Sequence, residues 1–180
     1  MGSSGGNGVS GAPTVDSAYV VFAQSADARI DIGAFSAHAE RFFATRLGLT
    51  ADKSYAPGQA PRTDDAGIVI APDGETPGIR QASARPRQDG DLALAVAADE
   101  RAGPGGTGLA LLARRCHTVW LISRVFDPDP LALRLAAILA SVLLGPILDA
   151  RVPEIFGVKT ARAKLEALLA LGGERTTRGG

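Results

Sequence analysis

The chain has 180 residues, 46% of them apolar and 21% charged, which suits one soluble folded domain and excludes a collagen, a coiled-coil rod or a wholly unfolded chain. Its 19 basic and 19 acidic side chains cancel, so no long-range field draws it to nucleic acid or to a membrane surface. A single cysteine excludes an internal disulfide framework and a multi-cysteine zinc site, and it suits a reducing, cytoplasmic setting.

Only Lys53, Lys159 and Lys164 are lysine, and the wealth of Ala, Gly and Arg is what a high-GC bacterial genome favours. Aromatics make up 5% of the chain, too few for base-stacking platforms, so the core must be built from Leu, Ile, Val and Ala. The segment Met1 to Gly6 has neither a basic nor an apolar stretch and does not read as a secretory signal. Residues 1–15 and 172–180 are Gly-rich with little to bury, which predicts disordered tails around a single domain over 16–171.

Tyr19 to Ala23 is β-branched, aromatic and apolar on both faces, which predicts a buried strand. Phe35, Ala39, Phe42, Phe43 and Leu47 fall near helical spacing, so a helix is expected over 34–47 with Gly48 at its end. The Pro/Gly/Asp-rich stretch 50–65 reads as a long loop. Gly67 to Ala71 predicts a second strand, Pro72-Asp73-Gly74 a turn, and Gly78 to Arg85 a more polar third strand. After Asp89-Gly90-Asp91 the Ala-rich run Leu92 to Ala97 favours a helix with an acidic start. Gly103 to Gly106 stops it, and Thr107 opens a short helix through Arg115.

His117 to Phe126 predicts a fourth strand, with Trp120 and Ile122 on one face and Val119 and Leu121 on the other. Asp129-Pro130 then reads as an acidic cap with proline at the first helical position. The helix it opens, Leu131 to Leu144, is the most apolar segment and is too short to span a bilayer. A last helix is expected over Ala161 to Leu171. The resulting order, β-α-β-β-α-β with two added C-terminal helices, predicts an α+β domain of the ferredoxin-like, split β-α-β type, with the added helices over the second sheet face.

Cys116-His117 has the residue types of a thiol nucleophile and its base. Neighbours along a strand point to opposite faces, so the two are expected to be a buried thiol and a strand-end histidine. His38 is the remaining histidine that the fold could bring to Cys116. Two histidines and one cysteine without clustered carboxylates predict neither a metal site nor a cofactor. Gly103-Pro104-Gly105-Gly106-Thr107-Gly108 resembles a phosphate cradle in composition, but it follows a helix and lacks the lysine of a P-loop. Arg80, Arg85 and Arg87 cluster near the third strand, and with Thr107 they form the candidate anion-binding set. Asp64-Asp65 reads as loop polarity, and Asp127 and Asp129 as capping residues.

The helix over 131–144 is apolar nearly all round, so it must be covered by the chain's own core or by a second protein. Leu133, Ala137, Ala140 and Leu144 are its candidate interface residues. Two functional readings follow. One is a non-enzymatic interaction or accessory module that binds a protein partner or self-associates. The other is a small ligand- or anion-binding domain, or an enzyme, using the 50–65 loop, the 103–108 glycine loop and the arginines.

Overall fold

The computed structural model describes residues 13–26, 28–50 and 67–177, the side chains of 173–177 excepted. The strands are β1 (Ala18–Ala23), β2 (Thr45–Leu49), β3 (Gly67–Pro72), β4 (Gly78–Pro86), β5 (Thr118–Ser123), β6 (Ile147–Asp149) and β7 (Glu154–Phe156). The helices are α1 (Ile32–Phe43), α2 (Asp89–Arg101), α3 (Leu109–Arg114), α4 (Pro130–Leu143) and α5 (Val158–Thr177).

The strands form one open antiparallel sheet of order β2-β3-β4-β5-β1-β6-β7. The α+β class is as expected. The split β-α-β arrangement needs a parallel pair, and every pairing described here is antiparallel. β1 does not pair with the strand that follows its helix. It sits between β5 and β6, with β2 at the far edge.

All six residues of β1 are buried, because helices cover the sheet there on both faces. Tyr19, Val21 and Ala23 turn to a front core with Trp120, Ile122, Ile147 and residues of α1, α4 and α5. Ala18, Val20 and Phe22 turn to a back core with Val119, Leu121, Leu148, Ile155 and residues of α2 and α3. The two C-terminal helices therefore join α1 on the front, and α2 with α3 supplies the back layer. No residue of β2, β3 or β4 belongs to the back core. The apolar core on that face therefore runs only from β5 to β7.

Three local differences from the sequence reading have physical causes. The helix expected over 34–47 stops at Phe43, where Ala44 takes a left-handed conformation (φ 45°), and Thr45–Leu49 pairs with β3 instead. Leu47 sits at helical spacing but buries its side chain from a strand. β6 and β7 are three residues each and follow from pairing with β1 and with one another. α5 continues to Thr177, past the point where a tail was expected, while Val15–Ser17 forms a short 3-10 turn. The expected loop lies, from residue 51 to 65, outside the described residues.

α4 begins as its sequence implies. The Asp129 side chain accepts the Ala132 N–H, and Pro130 follows the cap. Its residues 132–140 are all buried. Leu133 (1% exposed), Ala137 and Ala140 are covered by this chain itself, which leaves Leu144 (63% exposed) as the one interface candidate of the four that reaches the surface. Gly145 then passes so close to β1 that an added Cβ would lie 1.8 Å from the Phe22 carbonyl oxygen. That approach lets Pro146 O accept the Phe22 N–H and starts β6.

Chemical denaturation checks this layering. Leu133→Ala is expected to cost about 2–5 kcal/mol and Leu144→Ser less than about 1 kcal/mol. Gly145→Ala is expected to cost at least about 3 kcal/mol, since backbone rather than a flexible side chain must move. Equal effects at 133 and 144 would contradict the burial described.

Candidate functional site

The sequence nominated three arginines, and the fold engages each of them separately. Arg80 and Arg85 leave β4 on opposite faces. On the front, Arg80 is buried and donates from Nε (2.7 Å) and Nη2 (2.8 Å) to both carboxylate oxygens of Asp129. On the back, Arg85 makes the same two-pronged contact with Asp91 of α2, both bonds at 2.7 Å. Arg87 donates from Nε to the Cys116 carbonyl oxygen at 2.9 Å. All three candidate arginines therefore have partners within the chain itself.

The glycine loop is also filled from within. Asp99, near the end of α2, accepts the Thr107 N–H at 2.7 Å and the Ala110 N–H at 3.2 Å, and it bonds the Thr107 hydroxyl as well. Gly106 (φ 61°) folds the loop over this carboxylate, with room for no side chain: an added Cβ would lie 3.0 Å from the Asp99 carboxyl carbon. N–H groups at the end of the loop face an anion, and that anion is the chain's own Asp99.

These contacts set the charge state of the aspartates. Burial alone would raise each carboxyl. The hydrogen bonds from Arg85 and the Gln88 N–H outweigh it at Asp91, and those from Thr107 and the Ala110 and Gly108 N–H groups do so at Asp99. At Asp129 the opposing bonds come from Arg80 and the Val125 and Ala132 N–H groups. All three sit below the usual carboxylate range and are ionised at neutral pH.

Cys116 and His117 diverge as expected. The thiol is buried in the back core, donates to the Leu112 carbonyl oxygen, and is pushed by burial up to about 11, which makes it a poor nucleophile at neutral pH. His117 is exposed. His38 lies on α1, on the front, so the sheet separates it from Cys116.

His38 instead meets Ser141 of α4, Nε2 to Oγ at 2.9 Å, a pair that the sequence reading did not bring together. Burial, then Arg162 and Arg41, lowers the imidazole's pKa, so the ring is neutral at pH 7. Its contacts are otherwise the rings of Phe42 and Phe43, with no carboxylate described against it. A serine in the last turn of a helix, on a histidine that no acid orients, lacks the third member of a nucleophilic triad. Among the described residues no group of three or more His, Cys, Asp or Glu side chains could hold a metal ion.

What remains open is surface. A groove of about 590 Å³ runs along β7 between the end of α2, the start of α3 and the first turn of α5. Val152 and Leu109 give it apolar walls and Arg101 stands on its rim. Its chemistry was not legible locally, since β7 is a strand only by virtue of β6. Elsewhere Ile79 of β4 (50% exposed) and Val125, just past β5 (67% exposed), are open to solvent. No family model, no curated protein and no solved structure matches this chain. No helix among the described residues is long and apolar enough to cross a membrane.

The hydrogen-bonded carboxylates give a pH dependence of defined sign. Asp91, Asp99 and Asp129 titrate lower in the folded chain than unfolded, where an aspartate titrates near about 3.9. Their contribution is therefore complete above that value and is lost as pH falls through the depressed folded values. Urea midpoints are expected to hold from pH 7 to 5 and to fall steeply below 4. Asp129→Asn, which leaves Arg80 buried without its counter-charge, is expected to cost about 3–5 kcal/mol at pH 7 and to flatten the acid limb.

Proposed function

We propose that the protein is a non-enzymatic interaction or accessory module that works in the cytoplasm by binding a partner protein or further copies of itself. The observation that carries this reading is where the polar groups go. Arg80, Arg85, Arg87 and Thr107 are engaged with Asp129, Asp91, the Cys116 carbonyl and Asp99, while apolar side chains such as Ile79 and Val125 stay on the surface. An anion-binding function would require these arginines to leave partners held at hydrogen-bond distance. Exposed apolar side chains, by contrast, are what a protein contact can remove from water.

A thermal-shift panel of phosphate, sulfate and nucleotides tests the reading. No compound is expected to raise the melting temperature. Arg85→Ala is expected to lower it by roughly 2–8 °C, and by the same amount with and without phosphate. A stabilisation by one phosphate compound that Arg85→Ala removes would replace the interaction reading with the ligand-binding one.

A further inference from the structure

The two edges of the sheet are finished differently. At β2 the edge is obstructed by α1, whose Ser36 Oγ accepts the Leu47 N–H at 3.1 Å. At β7 the neighbouring strand is β6 alone, and all three residues Glu154, Ile155 and Phe156 line the groove described above. An edge strand presents main-chain N–H and C=O groups that another extended chain can complete. We propose that this groove takes an extended peptide segment of a partner protein, which adds beside β7 as an eighth strand and sets a carboxylate against Arg101. The inference rests on the interaction reading and names the surface and the chemistry of its partner.

Three features choose this occupant. The walls are apolar: Val152 is largely exposed on one side and Leu109 is half-buried on the other, so alternate side chains of a strand find cover. The groove also carries one unanswered charge. Glu154 is held by Lys164 at 2.7 Å, whereas the Arg101 side chain has no ion pair or hydrogen bond among the described residues. The free charge is therefore positive and fits a partner bearing Asp, Glu or a terminal carboxylate. A second copy fits less well, because the carboxylate that its own β7 would bring is Glu154, already bound to Lys164. Finally, β7 is three residues long, so the ladder is short and the walls and the charge must supply the selection.

The test is selection of binders to the full chain from a displayed library of random twelve-residue peptides. Enriched peptides are expected to alternate apolar residues around an acidic one, and to move the backbone NMR signals of residues 152–156. Arg101→Glu, a surface change, is expected to weaken them about three- to tenfold, and a Lys in place of the peptide's acid is expected to restore binding to that variant. Methylating the peptide amides that face β7 is expected to weaken binding about tenfold. Binders that ignore Arg101→Glu and amide methylation, or that move signals around Ile79 and Val125 instead, would overturn the groove and leave the interaction reading standing. Concentration-dependent dimerisation that moves the signals of 152–156 would also overturn it, in favour of a second copy. A library yielding no binder, with a phosphate compound stabilising the chain, would remove both.

Discussion

The Asp129 carboxylate ties the first turn of α4 to β4 and to the chain just past β5. It is completely buried and accepts from Arg80 of β4, from the Val125 N–H just past β5 and from the Ala132 N–H in the first turn of α4. The contacts fix where α4 starts and hold that start against β4, the strand beside β5. Because α4 is the apolar centre of the front layer, α1 and α5 take their positions from it. A buried carboxylate is tolerable only when its lone pairs are filled, and here an arginine fork and two main-chain N–H groups fill them.

The same device recurs at α2 and α3. Asp91 in the first turn of α2 takes the Gln88 N–H and the Arg85 fork. Asp99 takes N–H groups leading into α3. A helix start is electrically positive and offers N–H groups without partners, which is why it binds anions. In this chain each of these three starts is met by an aspartate of the chain itself. That explains how a sequence rich in arginine and loop glycine can look like an anion binder and yet spend those groups on its own architecture. Two arginines of β4, Arg80 and Arg85, are matched in this way to Asp129 and Asp91 at helix starts.

Much of the framework is local and was readable. A run apolar on both faces could only be a covered strand, which placed β1. Asp129-Pro130 placed the start of α4, and the alternating faces of β5 separated Trp120 and Ile122 from Val119 and Leu121. The topology was not readable, because a strand draws its stability from cross-strand neighbours. Thr45–Leu49 offers Leu47 to a helical stripe as well as to a sheet, and only β3 decides. β6 and β7 have three residues each and no signature of their own. The partners of the arginines were hidden for a related reason. Arg80 and Asp129 are 49 positions apart, and His38 and Ser141 are 103 apart, so no spacing rule connects them. The glycine loop shows the limit from the other side: its composition resembled a phosphate cradle without the lysine or the preceding strand, and it did not point to Asp99 as the group that the loop encloses.

The unequal cover of the sheet shapes the surface available for recognition. On the front, core residues extend from Leu47 of β2 to Phe156 of β7 beneath three helices. On the back, the core beneath α2 and α3 runs only from β5 to β7, and residues of both helix ends line the groove along β7. A longer β7 would bury this edge's neighbourhood more fully or invite uncontrolled pairing, the hazard that short edge strands restrain. Three residues give a ladder too brief to hold an arbitrary strand. In the proposed contact the flanking side chains would decide what stays, and among the described residues that line the groove Arg101 is the charge without an ion pair or hydrogen bond.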